Sequence, residues 1–579
     1  MQESNKKSEK NKSHNSAANP HSQTTMAVID PVKSQLILYL QTFFEVDESL
    51  LQKTADSQFG DYTYPCFSLA KVLKKSPVQI AQDLVEQIVP NELVLKVEAV
   101  NGYLNIHLDK VFLVRTILSQ TITPTRSGKI LIEASSPNIA KAMGIGHLRS
   151  TIIGWALANI HREVGYDVTT INYWGDWGTQ FGKLIYAYMK YGDSESLKSD
   201  PISYLQDLYI RVNAEMTPEI EAECRDIFKR LEEGDSQIYD LWKTFREMSL
   251  LEFQRMYDLL GVTFDVNSGE SFYTKGAKDI TAELLSQDIA TKSDGAIIVN
   301  LEDYNLGVSI LQKSDGTSIY ASRDLAAAIE RKNVYNFTKM IYEVGAEQSL
   351  HFGQVFKTLE LGGYAWAKDC VHVSHGLYLG TDGKKLSTRK GTSLKMKDIW
   401  ADVSEKVVAE LTQREVDPVL IAVRAPIITR AAVIFADLFN YREKSVIINP
   451  EKMAKMEGDT GPYLLYSYAR SRSILRKLGV ADSGYVGDIP VAQPELAELE
   501  LVKFMDGYHS MLLQACDKCD PSLVANYAQK LSRLFNTFYS SCPVFGSESQ
   551  DWRGYLVWRY SEMLRNCLRL LGIAVLEEM

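Results

Sequence analysis

The spacing of apolar and polar residues divides this chain into four regions. Residues 1–28 consist mainly of Ser, Asn, Lys, Gln and His, and such a segment buries too little apolar surface to offset its ordering entropy. We therefore expect a disordered tail. Residues 29–120 mix helical and strand patterns, residues 121–400 alternate strands with helices, and residues 401–579 show almost only helical periodicity.

Local signals support the mixed pattern of residues 29–120. Ser76 precedes a helical pattern from Pro77 to Val85, as expected of a capped helix with proline at its first position. Residues 97–100 and 103–108 have strand character around an Asn101-Gly102 turn. An α+β unit is therefore predicted here.

Residues 121–400 predict two halves of a parallel sheet with helices packed on it. Strands at 130–132 and 168–173 flank a helix from Leu148 to Val164, which is the pattern of a βαβ unit. A charged helical stretch at about 187–260 interrupts the pattern. A second half follows, with strands at 340–344 and 371–373 around a helix near 355–361.

Composition restricts the class of protein. The formal charge of −10 argues against a general nucleic-acid binder, although local basic grooves can still bind RNA. No apolar run approaches the roughly 18 residues that span a bilayer, so no membrane segment is expected. Seven scattered cysteines suit a reducing compartment. The lone pair Cys516 and Cys519 lacks the second ligand pair of a zinc site, so two helical thiols and no metal are expected.

Two short motifs carry candidate chemistry. Gly144-Ile145-Gly146-His147 lies between the first strand and its helix, where free N–H groups and small residues suit a phosphate, although such a turn is often only a tight connection. Residues 383–391 form a glycine-flanked basic loop that suits a polyphosphate, but a solvated surface turn has the same composition. Both follow parallel strands, and ligands bind at the carboxyl ends of such strands.

Together these motifs resemble the HIGH and KMSKS motifs of class I aminoacyl-tRNA synthetases. Residues 133–141 and 175–182 resemble the arginyl-tRNA synthetase family in particular, and the resemblance runs from about Asp30 to the end of the chain. It implies a multidomain α/β fold: an α+β N-terminal tRNA-binding domain, a Rossmann-type catalytic core with a helical insertion, and an all-helical anticodon-binding domain.

The resemblance also implies a function. The enzyme would attach L-arginine to the 3′ end of tRNA(Arg) through an arginyl-adenylate, releasing AMP and pyrophosphate. ATP with Mg²⁺, L-arginine and tRNA(Arg) would be its substrates. A cytoplasmic monomer is expected, with no tightly bound metal, no DNA partner and no membrane.

Free arginine carries two cationic groups, so its pocket should contain carboxylates and planar polar partners. The resemblance places the guanidinium of arginine among Glu270, Tyr320 and Asp324. It places the amino-acid head group near four other residues: Glu133, Ser136, Asn138 and Gln348. Taken singly, each acid is more often an exposed or capping residue than a ligand. Asp324 precedes Leu325-Ala326-Ala327-Ala328, so a helix N-cap role competes with ligand binding.

For ATP, the resemblance implies that His147, Lys141 and Lys385 stabilise developing phosphate charge. The nucleotide would contact Gly144, Gly146, His147, His375, Gly376, Leu377, Lys385, Ser387, Arg389 and Lys390. Two residues depart from the family pattern, since Gly144 stands at a usual histidine and Thr388 at the second lysine of KMSKS. Lys141 is expected to replace that lysine, whereas Trp155 has no explanation from the sequence.

The end domains supply the expected tRNA contacts. Tyr103 and Asn105 match a D-loop contact motif, through stacking and base-edge recognition, although an outward strand tyrosine is an equal alternative. Four further residues match anticodon-loop contacts: Tyr463, Arg470, Tyr539 and Met579. Phe535 is assigned to the helical core, because an aromatic at helical spacing is more often buried.

Two other classes share parts of this pattern. Nucleotidyltransferases have a similar strand-to-helix turn but need no RNA-binding end domains, and pyrophosphate exchange without tRNA would favour them. A synthetase-derived RNA-binding protein would retain tRNA binding without aminoacylation, and only Gly144 supports that alternative.

Overall fold

A computed structural model describes residues 30–54, 57–120, 123–384, 395–414, 416–481, 484–485 and 489–579. The expected tail therefore lies outside the described residues. So do four predicted ATP contacts, Lys385, Ser387, Arg389 and Lys390.

A four-stranded antiparallel sheet with helices on it forms the N-terminal unit. Its strands are ordered β1-β2-β4-β3. They are β1 Gln52–Lys53, β2 Tyr62–Pro65, β3 Val94–Val100 and β4 Tyr103–Leu108, and the helices are α1 Pro31–Leu40, α2 Ala70–Leu73, α3 Pro77–Gln87 and α4 Lys110–Leu118. The Ser76 hydroxyl accepts the Gln79 amide at 3.2 Å, and Asn101 and Gly102 both have positive φ in the β3–β4 turn. The predicted cap and hairpin are confirmed.

The centre of the molecule is a five-stranded parallel sheet of order β12-β11-β5-β6-β7. Its strands are β5 Lys129–Ser135, β6 Asp167–Trp174, β7 Val266–Gly269, β11 Lys339–Gly345 and β12 Cys370–His375. Helix α5, Ile145–Glu163, connects β5 to β6, and α13, Ser349–Leu361, connects β11 to β12. Both predicted halves are confirmed, and the two first strands, β5 and β11, lie side by side in the sheet.

Two additions interrupt the sheet. Between β6 and β7 lie five helices, α6 Thr179–Tyr191, α7 Ser194–Ser199, α8 Pro201–Ala214, α9 Pro218–Glu233 and α10 Ser236–Leu260, which include the predicted insertion. Between β7 and β11 lie an antiparallel sheet and two helices, namely β8 Thr291–Ser293, β9 Ala296–Asn300, β10 Val308–Gln312, α11 Thr274–Ser286 and α12 Tyr320–Tyr335.

Helices dominate the remainder. They are α14 Met396–Gln413, α15 Pro418–Leu438, α16 Pro450–Met453, α17 Gly461–Lys477, α18 Leu496–Met505, α19 Tyr508–Asp517, α20 Ser522–Ser541 and α21 Gln550–Leu570. A short parallel pair, β13 Tyr378–Leu379 and β14 Val446–Ile447, ties this part to the segment after β12. Phe535 is fully buried and its ring stacks on Tyr560 at 3.7 Å, which confirms its assignment to the core.

Helix α15 bears on the expectation that no segment of the chain spans a membrane. Among the described residues it is the one helix long and apolar enough to cross a membrane by length and composition alone. Its buried face packs against α14 and α17, and the Arg430 guanidinium donates to the Leu259 carbonyl at 2.7 Å. A buried core helix passes the same test of length and composition, so this one helix is weak evidence for a membrane segment.

Packing of the C-terminal helices on α5 explains Trp155. A Cβ built on Gly572, just after α21, would lie 2.8 Å from Cδ1 of Trp155. Nearby, the Asn566 amide donates to Glu163 at 2.7 Å, and Arg569 forms an ion pair with the same carboxylate. The Trp155 ring is therefore part of the contact between the helix of the glycine turn and the end of the chain.

The two spaced cysteines are both buried thiols, but only Cys516 lies in a helix. Cys519 follows the end of α19 with a positive φ of 48°. Within the described part of the chain, no group of three or more His, Cys, Asp or Glu side chains is placed to hold a metal ion.

Candidate active site

A cavity of about 630 Å³ opens at the carboxyl ends of the parallel strands. It brings together residues from six separated segments of the chain. The predicted site residues that line it are Glu133, Ser136, Asn138, Gly144, Gly146, His147, Glu270, Tyr320, Asp324, Gln348, His375, Gly376 and Leu377.

The glycine turn forms one end of this cavity. Helix α5 begins at Ile145, three residues before the predicted start, and Gly144 is its N-cap. The His147 amide donates to the Gly144 carbonyl at 3.0 Å. The Ile145 and Gly146 N–H groups have no acceptor one turn back in the helix, so these two groups suit an anion. Gly146 has open space where a Cβ would stand, so a ligand can approach the backbone closely there.

His147 is neutral in this environment. Burial lowers the pKa of His147 to about 4, with His375 and Lys141 as further causes. The Gly144 amide donates to Nδ1 of His147 at 3.3 Å, so this nitrogen is the acceptor and the ring proton lies on Nε2. His147 can therefore donate one hydrogen bond to a phosphate oxygen without adding a full positive charge.

Three acids form the other end of the cavity, and each already has a partner within the protein. Glu133 pairs with Arg331 at 2.7 Å, Glu270 pairs with Arg323 at 2.7 Å, and Asp324 contacts Nε2 of His351 at 2.6 Å. Paired in this way, three carboxylates and two guanidinium groups can share one small volume.

The competing role for Asp324 as a helix N-cap is wrong. Helix α12 begins at Tyr320 with Ile319 as its N-cap, so Asp324 lies inside the second turn. The reason is that the helix starts five residues before the Leu325-Ala326-Ala327-Ala328 run that suggested its beginning. The Asp324 side chain is free to face the cavity, where the Tyr320 ring lies edge-on to His351 at 4.8 Å.

Burial controls the ionisation of the two glutamates. It raises the pKa of Glu133 to about 7 against the opposing effect of Arg331. It likewise raises the pKa of Glu270 to about 7, opposed by Arg323. An incoming cation would restore the charged form of either carboxylate, because a nearby positive charge favours ionisation.

A second buried network lies behind His375 and Leu377. His375 Nδ1 contacts Glu343 at 2.9 Å, and this carboxylate raises the pKa of His375. Arg149 pairs with Asp437 at 3.3 Å and also reaches the Leu377 carbonyl. These groups hold the segment predicted to face adenosine against both α5 and α15.

The sequence interpretation missed the three residues that pair with the acids of the cavity, namely Arg323, Arg331 and His351. Arg323 is the neighbour of Asp324, Arg331 lies two helical turns further on α12, and His351 follows Gln348 by three residues. Nothing in their spacing along the chain indicated that they pair with Glu270, Glu133 and Asp324. An arginine adjacent to a predicted arginine-binding acid was the one available signal.

Lys141 stands apart from the other predicted catalytic residues. Its ammonium lies over the Tyr209 ring of α8, 5.0 Å from the centroid. It is not among the described residues that line the cavity, but it is close enough to lower the pKa of His147. Its predicted role in ATP binding stays a prediction.

Of the predicted D-loop contacts, Tyr103 is exposed and Asn105 is buried. The Tyr103 ring lies edge-on to exposed Phe67 at 5.3 Å, whereas the Asn105 carboxamide accepts the Thr63 hydroxyl at 2.7 Å. Tyr103 is thus accessible to a base, and Asn105 supports the sheet beneath it.

The predicted anticodon contacts lie together on α17, α20 and the chain end. Tyr463 and Arg470 are on α17, Tyr539 is on α20, and Met579 packs against the helical core. The Arg470 guanidinium lies 6.0 Å from the Tyr539 ring centroid.

Comparisons with known families cover the three parts of the chain. Residues 110–449 match the model described as tRNA synthetases class I (R), catalytic domain, and residues 28–108 match the arginyl tRNA synthetase N terminal domain. Residues 464–579 match the DALR anticodon binding domain. With the parallel sheet and its cavity, these matches define a class I aminoacyl-tRNA synthetase.

Individual relatives identify the family within this class. The arginine–tRNA ligase of Clostridium perfringens is 39% identical over 572 residues, covering 95% of this chain and 99% of the relative. That of Clostridium acetobutylicum is 42% identical over 536 residues, covering 90% and 94%. The chain belongs to the arginyl-tRNA synthetase family.

Solved structures support the fold. The Thermus thermophilus arginyl-tRNA synthetase has a TM-score of 0.75 at 24% identity, and the Plasmodium falciparum one has 0.74 at 23%. In both cases 95% of this chain and 99% of the other chain are covered. The predicted fold class is confirmed.

Proposed function

We propose that this protein joins L-arginine to tRNA(Arg) in two steps that share the cavity described above. Support comes mainly from the cavity's opposite ends: three acids at one, and a glycine turn with a neutral histidine at the other. The three acids suit the guanidinium and ammonium groups of arginine, and the glycine turn with His147 suits a phosphate.

In the first step a carboxylate oxygen of arginine attacks the α-phosphorus of ATP. A new P–O bond forms, the bond to the β-phosphate oxygen breaks, and pyrophosphate leaves with that electron pair. Glu270 and Asp324 would hold the guanidinium while Glu133 faces the head group. His147 would donate from Nε2 to a phosphate oxygen, so that catalysis is mostly alignment and charge stabilisation.

In the second step the 2′-hydroxyl of the terminal tRNA ribose attacks the carbonyl carbon of the adenylate. The C–O bond between the acyl carbon and the phosphate breaks, AMP leaves with the bonding electrons, and the hydroxyl proton passes to the departing phosphate. In the first step, the phosphates of ATP would contact Lys141 and four residues of the basic loop, namely Lys385, Ser387, Arg389 and Lys390. His375, Gly376 and Leu377 would face adenosine.

Further properties belong to the same proposal. The domains would be residues 29–120, 121–400 and 401–579, after a tail of residues 1–28. Mg²⁺ would enter with ATP as part of the substrate. We expect a cytoplasmic monomer that binds neither DNA nor a membrane.

Aminoacylation tests this function directly. Purified protein is incubated with ATP, Mg²⁺, tRNA(Arg) and each of the twenty amino acids in turn, and charged tRNA is measured. Arginine alone should give product. Charging with another amino acid would refute the assignment, and tRNA binding without any charging would favour an RNA-binding protein. Asp324→Asn serves as the matched variant and should lose arginine charging.

A further inference from the structure

One carboxamide in the C-terminal helices joins two of the proposed tRNA contacts. Asn536 on α20 donates from Nδ2 to the Tyr463 hydroxyl at 2.6 Å. Its Oδ1 accepts from Nη1 of Arg470 at 3.1 Å. The side chain is half-buried, and it bridges one turn of α20 to two residues seven positions apart on α17.

The chemistry of the partners fixes the orientation of this amide. A guanidinium has donors and no acceptor, so the carboxamide oxygen must face Arg470. The amide NH₂ then faces Tyr463, whose hydroxyl oxygen accepts. Because that oxygen is accepting, the hydroxyl proton of Tyr463 is directed away from Asn536. Tyr463 is therefore held as a donor toward a ligand.

Arg470 is held as a cation between two tyrosine rings. Its guanidinium lies 4.8 Å from the Tyr466 centroid and 6.0 Å from the Tyr539 centroid, and both rings are 36% exposed. Among the ion pairs of the described residues, none joins Arg470 to a carboxylate. An uncompensated guanidinium beside accessible aromatic rings suits an RNA phosphate next to a stacked base.

We propose that Asn536 is a positioning residue for tRNA. Its carboxamide fixes the Tyr463 hydroxyl as an outward hydrogen-bond donor and Arg470 as a phosphate partner, so that one loop nucleotide meets both. This rests on the proposed function, because Tyr463 and Arg470 are proposed rather than established tRNA contacts. Asn536 itself has both polar groups engaged and does not contact the RNA.

The first test replaces Asn536 by the near-isosteric apolar Leu and measures steady-state arginylation. Losing both hydrogen bonds frees the two groups that Asn536 holds, so we expect the KM for tRNA(Arg) to rise about tenfold, which corresponds to about 1.4 kcal/mol. The kcat at saturating tRNA and the KM values for arginine and ATP should stay within about twofold, because the cavity is unchanged. Thr537→Ala is the control, since Thr537 is exposed and bonds only within its own helix.

A double-mutant cycle separates positioning from general destabilisation. In a Tyr463→Phe background, Asn536→Leu should raise the KM for tRNA by a smaller factor than in the wild type, because one of the groups it holds is already lost. Thermal unfolding of all four proteins shows whether they fold alike. Equal factors in both backgrounds, or a wild-type tRNA KM in Asn536→Leu, would overturn the inference. Failure of the wild type to charge tRNA with arginine would instead overturn the proposed function.

Discussion

Arg323 binds the Glu270 carboxylate through two guanidinium nitrogens, Nε at 2.9 Å and Nη2 at 2.7 Å. Its third nitrogen, Nη1, donates to the Ser318 carbonyl and hydroxyl, each at 3.1 Å. The proposed guanidinium-binding carboxylate is therefore anchored to the loop that precedes α12. A planar fork of donors makes this geometry possible, and a lysine ammonium cannot reproduce it.

Replacing Arg323 by Lys should therefore weaken arginine binding. We expect the KM for arginine to rise about tenfold, corresponding to about 1.4 kcal/mol, with a smaller change in kcat. Steady-state pyrophosphate exchange or arginylation measures both constants. Arg565→Lys is a suitable control, because Arg565 is exposed on α21 and pairs with Glu562 of the same helix. An unchanged KM for arginine in Arg323→Lys would show that the anchor has no role in binding.

The pH dependence of arginine binding should follow Glu133 and Glu270. With pKa values raised to about 7, both carboxyls are increasingly protonated below pH 7 and ionised above it. A cationic substrate favours the ionised forms, so the KM for arginine should fall as pH rises from 6 to 8. His147, with a pKa of about 4, stays neutral over this range and contributes no step.

The Glu270→Gln variant provides the comparison for this pH series. It should have a higher KM for arginine throughout and a flatter dependence on pH, because one titrating group is gone. A KM that rises with pH in the wild type would contradict the proposed charge state of the cavity.

Lys141 should matter for adenylate formation and not for tRNA affinity. Losing a charged hydrogen bond to phosphate costs about 1.5–3 kcal/mol, so Lys141→Ala should slow adenylate formation by tenfold or more. Rapid-quench measurement of adenylate and filter binding of tRNA separate the two effects. Lys198→Ala, an exposed lysine on α7, is the control and should behave like the wild type. Full adenylation activity in Lys141→Ala would remove its predicted compensating role.

Replacing either of two glycines of α5 by alanine should affect the stability of the protein differently. A Cβ on Gly154 would lie 2.6 Å from Ala134 of β5, so Gly154→Ala should lower the free energy of unfolding by about 1–3 kcal/mol. A Cβ on Gly146 meets nothing within 4 Å, so Gly146→Ala should leave the melting temperature unchanged.

Gly146→Ala should nevertheless raise the KM for ATP several-fold, because its methyl group enters space beside the cavity. Thermal unfolding and ATP titration of both variants give the comparison. Destabilised Gly146→Ala with normal ATP binding would show that this turn serves only the fold.

Local patterns were enough for the order of elements and much of the site. Ser76, Pro77 and the Asn101-Gly102 turn act on neighbouring residues, so the sequence alone determines the helix and hairpin that they bound. The glycine turn and four of the five strands of the parallel sheet were predictable for the same reason, whereas strand β7 was not predicted. The resemblance to a family assigned residues to a site, and thirteen of them line one cavity. Lys141 does not line it, and Lys385, Ser387, Arg389 and Lys390 lie outside the described residues.

Only the tertiary structure decided which side chains meet across long stretches of chain. The pair Glu133 and Arg331 joins β5 to α12, Trp155 packs beside Gly572, and Asn536 joins Tyr463 to Arg470. Such contacts depend on how whole helices pack and on where each side chain then points. The sequence determined which residue types were available, and packing determined which of them became partners.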